Sequence, residues 1–175
     1  MRTFHLIMVF LLSLLLQTTI LPFLKIGGVM PDLLLIFLIF LALFRGSSKG
    51  GIAGFFVGLL EDLLVGRCLG SRALSGFLTC YVAGVFEGKV YKENPLVPFS
   101  FAFLGSVFYQ LVFFVVQGFA GVSFFSFWPF VRYAVLQGLL NGVIGVLLFY
   151  PFSNLIQKER RSSQFFRLYA EVFRR

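Results

Sequence analysis

The chain has 175 residues, of which 59% are hydrophobic, and its mean hydropathy is +0.95. A membrane-spanning helix needs about 20 apolar residues, so its several long apolar runs leave no room for a soluble domain and indicate an integral membrane protein. Lys and Arg exceed Asp and Glu by 15 to 7. Because no polar domain could carry a basic groove, we attribute this excess to membrane topology rather than to nucleic-acid binding.

The first apolar run extends from Phe4 to Leu21 and is followed by Pro22. It is longer than the apolar core of a signal peptide, which has about 7 to 15 residues, and no small-residue cleavage pattern follows it. We therefore predict a retained first helix. Its one strongly polar side chain, Gln17, would either form a hydrogen bond with another helix or reach the interface from the helix end, and both interpretations stay open.

The second run, Leu33 to Phe44, follows Pro31 and Asp32, two residue types that suit the start of a helix. It is short for a span, so we expect the Gly27 to Met30 stretch to add length. Four further spans are predicted at about Gly51–Val65, Leu69–Phe86, Leu96–Val116 and Val131–Phe149. A re-entrant hairpin is the alternative for the third and fourth, where glycines interrupt the pattern. The sequence thus predicts one all-α domain of six transmembrane helices over residues 1–150.

The distribution of basic residues predicts the orientation of these spans. With the N-terminus inside, the cytoplasmic side receives Arg2, Arg45, Lys49, Lys89, Lys92 and the six basic residues after Tyr150. The other side receives Lys25, Arg67, Arg72 and Arg132. Since Lys and Arg collect in cytoplasmic loops, both termini are predicted to be cytoplasmic.

Glycines recur at four-residue intervals, which places them on one face of a helix and lets another helix approach closely. In the third predicted helix these are Gly50, Gly54 and Gly58. The spacing continues at Gly66 with Gly70, Gly84 with Gly88, and Gly138 with Gly142, to which Gly145 adds. Two interpretations stay open: packing within the bundle, and docking of a transmembrane helix from a partner.

Charged residues lie beside this glycine stripe. Glu61 and Asp62 point about 100° apart on a helix, so one neighbour cannot face both equally. Asp62 continues the stripe from Gly58, and we predict that it is the buried carboxylate. Arg67 and Arg72 lie near enough to offer a countercharge, so an ion pair or cap that fixes the turn is one interpretation and a proton or substrate site is the other.

Signals for catalysis are weak. The single histidine, His5, precedes the first apolar run, and Cys68 and Cys80 would lie about 18 Å apart along a helix, too far for a disulfide. Their spacing is not a metal motif, and no phosphate-binding glycine motif or nucleophile elbow is present. We predict no enzyme, no metal and no cofactor.

The last segment, residues 151–175, carries apolar residues at helical spacing. Phe165, Leu168, Tyr169 and Val172 fall on one side, with basic residues elsewhere. This pattern predicts a basic amphipathic cytoplasmic tail, which would bind either anionic lipid headgroups or a cytoplasmic protein.

Three segments resemble the MreD family of rod shape-determining proteins. They are LLLQ at Leu14–Gln17, the Pro31–Asp32 start of the second span with its LLLIFL, and GFFVGLLEDLLVGRCLGSRAL from Gly54 to Leu74. The last is the most specific, because it combines Asp62 with glycines at family-like spacing. The recognisable part covers roughly the first half of the chain.

This resemblance implies a small scaffold or regulator of bacterial cell elongation in the cytoplasmic membrane. It would support lateral peptidoglycan synthesis together with an MreC-like bitopic protein, the MreB cytoskeleton, and the lateral-wall glycan polymerase and transpeptidase. The family is also similar in its six-helix arrangement to the substrate-binding subunits of energy-coupling-factor vitamin transporters, which makes that class the alternative. Those subunits dock their partner through alanines in the first helix, whereas Phe4 to Leu21 contains none.

Overall fold

The computed structural model describes residues 8, 13, 15, 17, 19, 25, 27–65, 69–88, 95–121 and 127–172. Within them the regular elements are five helices. These are α1 (Leu33–Arg45), α2 (Ser47–Val65), α3 (Ser71–Val85), α4 (Leu96–Phe119) and α5 (Phe127–Val172). The described residues of the first apolar run, Met8, Ser13, Leu15, Gln17 and Thr19, are helical as well. The all-α prediction is confirmed.

One predicted boundary is wrong. The Gly27 to Met30 stretch does not lengthen α1, because Gly27 and Gly28 have φ values of 61° and 81° and form a turn. At the other end of the chain, the apolar span of α5 ends at Phe149 as predicted, and the helix itself continues to Val172. Among the described residues, α4 and the Phe127–Phe149 part of α5 are long and apolar enough to cross a membrane.

Helix α1 lies at the centre of the bundle. It has 13 residues and is about 20 Å long, and its residues 34–40 and 42–44 are buried on every side. A helix that is apolar all round is stable only when other helices surround it. Here α2, α3, α4 and α5 all contact α1.

Helices α2 and α3 form a hairpin in which the two backbones touch. A Cβ atom built on Gly76 would lie 2.5 Å from the carbonyl oxygen of Gly54, and one built on Gly58 would lie 2.7 Å from the Cα atom of Ala73. Real Cβ contacts are not this short, so the absence of side chains is what allows the approach. The glycine stripe therefore faces α3.

The second close pair is α4 with α5. A Cβ atom on Gly138 would lie 3.0 Å from the Phe103 side chain, and one on Gly145 would lie 2.8 Å from the Cβ atom of Ala102. The outer faces of both helices are apolar and exposed, as is that of α2. Examples are Phe56, Leu63, Leu104, Leu111, Val143 and Leu147. Such a surface needs lipid rather than water around it.

Candidate functional site

Charged side chains gather at one end of the bundle, where α1 begins, α2 ends and α3 begins. We call it the Asp62 end. Asp32, Glu61, Asp62 and Arg72 lie there, within an apolar bundle. A charge in hydrocarbon costs at least about 2.5 to 3.5 kcal/mol when it has no partner. The role of each group therefore depends on what it contacts.

Asp62 caps α3. Its side chain is 3% exposed and accepts hydrogen bonds from the backbone N–H groups of Gly70 at 2.9 Å, Arg72 at 3.0 Å and Ala73 at 3.2 Å. Gly70 precedes the helix with a φ of 96° and has no side chain that could serve as the cap. The carboxylate of α2 supplies the acceptor that the first turn of α3 otherwise lacks, at its positive dipole end.

Arg72 lies between the two adjacent carboxylates. Its Nη1 atom is 3.6 Å from Oε2 of Glu61, and its Nε atom is 4.0 Å from Oδ1 of Asp62. Both separations are short enough for an ion pair but longer than the donor–acceptor distance of a direct hydrogen bond. The guanidinium also stands over the ring of Phe113, 5.6 Å from its centre. Arg67, the other predicted countercharge, lies outside the described residues.

Asp32 and Gln17 cap α1. Asp32 Oδ1 accepts the N–H of Leu35 at 2.9 Å, and Gln17 Oε1 accepts the N–H of Leu34 at 3.1 Å. Gln17 thus forms the hydrogen bond to another segment that was one of its two interpretations. Two acceptors at the start of a short helix satisfy backbone donors of buried residues, which would be costly without partners.

A set of polar residues that we did not single out from the sequence holds the chain just before α1. Asn141 Oδ1 accepts the backbone N–H of Asp32 at 2.8 Å, and Asn141 Nδ2 donates to Ser106 Oγ at 2.7 Å. Gln137 Nε2 donates to the carbonyl oxygen of Met30 at 3.3 Å, and Gln137 Oε1 accepts from Gln110. These bonds join α4 and α5 to irregular backbone, which a bilayer tolerates only where protein supplies partners.

A signal for this set exists in the sequence. Ser106 and Gln110 are four residues apart, as are Gln137 and Asn141, so each pair shares one helix face. Amide side chains in apolar spans seek hydrogen bonds to other helices. The two pairs therefore carry the same signal as Gln17, and they indicate that α4 and α5 face each other or α1.

The structure divides the predicted glycines into three groups. Gly50, Gly54, Gly58 and Gly84 face other helices of the chain itself: a Cβ atom on each would collide with Ala42, Gly76, Arg72 and Ser47, respectively. Gly70 lies in the turn before α3, and a Cβ atom there would meet nothing within 4 Å. Gly66 lies outside the described residues.

A small cavity opens between α1, α2, α3 and α4 at the Asp62 end. It offers about 10 Å³, which is room for about a single water molecule. Its polar lining consists of Asp32, Glu61, Arg72 and Tyr109. Within the described part of the chain, no three His, Cys, Asp or Glu side chains are placed to hold a metal ion.

Comparison with known proteins identifies one family. The model of the family described as rod shape-determining protein MreD matches residues 1–159. The match runs from the first apolar run to beyond the membrane part of α5, and it confirms the resemblance found in the first half of the sequence. No curated protein and no solved structure matches the chain.

Proposed function

Because the chain belongs to the MreD family of rod shape-determining proteins, we propose that it is a non-enzymatic membrane scaffold or regulator of the bacterial cell-elongation complex. The family match over residues 1–159 is the observation that carries this proposal. The geometry of the polar groups supports it. Asp62, Gln137 and Asn141 each bond a backbone group of another turn or helix, and Asp32 caps the first turn of its own helix, which are structural uses of costly residues.

The proposed partners are those of lateral wall growth. An MreC-like bitopic protein would bind directly, and the MreB cytoskeleton, the glycan polymerase and the transpeptidase would join directly or through it. The glycine stripe of α2 contacts the chain's own helices, so it offers no free face to a partner helix. A partner span would instead meet an outer apolar face.

We further propose six transmembrane helices over residues 1–150, counting the first apolar run with α1 to α5. Both termini would be in the cytoplasm and the Asp62 end would face outward. Arg45 ends α1 and Lys49 lies in the first turn of α2, at the opposite end of the bundle, which suits a cytoplasmic side. The tail, residues 151–175, would bind anionic lipid headgroups or the cytoskeleton.

Affinity purification tests the scaffold. The tagged chain would be crosslinked briefly in its own membranes, recovered in mild detergent and identified with its partners by mass spectrometry. Recovery of an MreC-like protein with wall-synthesis enzymes is the expected result. A coupling protein with paired ATPases would instead establish the vitamin-transporter alternative.

Two controls sharpen that experiment. An unrelated tagged polytopic protein from the same membranes reports background capture. A chain truncated after Lys158 tests the tail separately: loss of the cytoskeletal protein alone would assign that contact to the tail, whereas full recovery of every partner would leave the tail with lipid binding only.

A further inference from the structure

The cavity at the Asp62 end is lined by polar groups from α2, α3 and α4 and from the residue before α1. Asp32 immediately precedes α1, Glu61 belongs to α2, Arg72 to α3 and Tyr109 to α4, and all four line the cavity. The remaining walls are apolar side chains of α1 and glycines of the α2–α3 hairpin. They are Leu34, Leu35, Leu38, Gly54, Gly58 and Gly76.

Tyr109 carries a hydroxyl that the described part of the chain does not satisfy. The residue is only 6% exposed, and its ring stacks on Phe113 with the centroids 6.3 Å apart. Its hydroxyl makes no hydrogen bond with another residue in the described part of the chain. A buried hydroxyl is costly without a partner, and the cavity that Tyr109 lines is where one would be found.

The Arg72–Glu61 pair also lacks a direct hydrogen bond. The separation of 3.6 Å between Nη1 and Oε2 is longer than a hydrogen bond, although the charges attract. Polar groups that face one another beyond about 3.5 Å are commonly bridged by water. A bridging water would keep the guanidinium and the carboxylate hydrogen-bonded without moving either helix.

We propose that this cavity is a binding site for one water molecule, which joins Asp32, Glu61, Arg72 and Tyr109. The carboxylates accept its hydrogens, and the phenol or the guanidinium donates to its oxygen, which supplies the two to four partners that a buried water needs. The volume of about 10 Å³ is enough for about one such molecule. The water links the α2–α3 hairpin to α1 and α4.

X-ray radiolytic footprinting of the full chain in lipid nanodiscs tests this site, because radicals formed from a bound water label the side chains beside it. After correction for intrinsic reactivity, Tyr109 should be labelled several-fold more than Phe40 and Phe149, which are 1% and 2% exposed in the dry core. Labelling of Tyr109 as low as theirs would overturn the proposal.

Two further readouts separate one bound water from an open channel. Labelling of Ile36, Ile39 and Leu43, buried residues of α1 that do not line the cavity, to the same extent as Tyr109 would indicate solvent beyond the cavity and would contradict a single site. Glu61→Gln, which keeps the size of the side chain but weakens its acceptor, should reduce the labelling of Tyr109 by at least half. Labelling unchanged in that variant would place the water elsewhere.

Discussion

The carboxylate of Asp62 accepts the backbone N–H of Arg72 through both oxygens, at 3.0 and 3.2 Å, while the Arg72 guanidinium stays 4.0 Å away. Residue 72 therefore binds Asp62 mainly through its main chain. From the sequence, an ion pair or a cap that fixes the turn is a single interpretation, which does not separate the two. The distances show that the cap is the closer interaction, and that the guanidinium is closer to Glu61.

Replacing Asp62 with Ala should destabilise the protein more than replacing it with Asn. Alanine leaves the N–H groups of Gly70, Arg72 and Ala73 without their acceptor, which costs about 1 to 3 kcal/mol, whereas asparagine keeps one oxygen. Unfolding in mixed micelles measures the difference. Equal stability of the Ala variant and the unmodified chain would contradict the cap.

Asp62→Asn also tests the scaffold. If the carboxylate fixes the α2–α3 turn that the complex needs, this variant should recover fewer partners and the cells should lose their rod shape. Expression is adjusted so that the variant and the unmodified chain reach the same protein level. Unchanged assembly, level and cell shape would show that the complex does not depend on this charge.

Gly58→Ala should separate α2 from α3. Its Cβ atom would lie 2.7 Å from the Cα atom of Ala73, and backbone cannot move aside cheaply, so we expect a loss of about 1 to 3 kcal/mol. Gly51→Ala is the matched control on the same helix, because its Cβ atom would meet side chains rather than backbone: the ring of Phe77 at 3.2 Å and the Cβ atom of Tyr81 at 3.5 Å. Thermal unfolding should rank the two variants clearly, and equal values would contradict the backbone contact.

Ser106→Ala and Ser100→Ala form a matched pair on α4. Each hydroxyl donates to the carbonyl four residues earlier at 2.7 Å, but only Ser106 also accepts from Asn141. We expect Ser106→Ala to cost about 1 kcal/mol, because the amide of Asn141 loses its partner, and Ser100→Ala to stay within about 0.5 kcal/mol. Unfolding in mixed micelles gives both values. A loss of equal size at the two positions would show that the bond to Asn141 contributes nothing.

Removing the charge of Arg72 should destabilise the protein less when residue 61 is also neutral. Arg72→Gln leaves a carboxylate that is only 14% exposed without its partner, and Glu61→Gln/Arg72→Gln removes that charge too. We expect a coupling free energy between the two substitutions of about 0.5 to 1 kcal/mol, which is small because Arg72 is partly exposed. A double-mutant cycle measures it, and strict additivity would show that the pair is not coupled.

The sequence alone was sufficient to predict a helical membrane protein of the MreD family. Long apolar runs form helices in a bilayer, because the helix satisfies the backbone hydrogen bonds within the segment. The spacing of the glycines and of Asp62 assigns each of these residues to a helix face, because an α-helix repeats every 3.6 residues. These inferences need only local periodicity.

Only the tertiary structure determined which partner each face meets. Asn141 holds the backbone of Asp32 across 109 residues of sequence, and Gln137 reaches Met30 across 107. Periodicity specifies the direction in which a side chain points, but not the helix that lies there, since that depends on how the helices pack and turn about one another. The capping of α3 by Asp62, the broken start of α1 and the meeting of four helices at one polar cavity all follow from that packing.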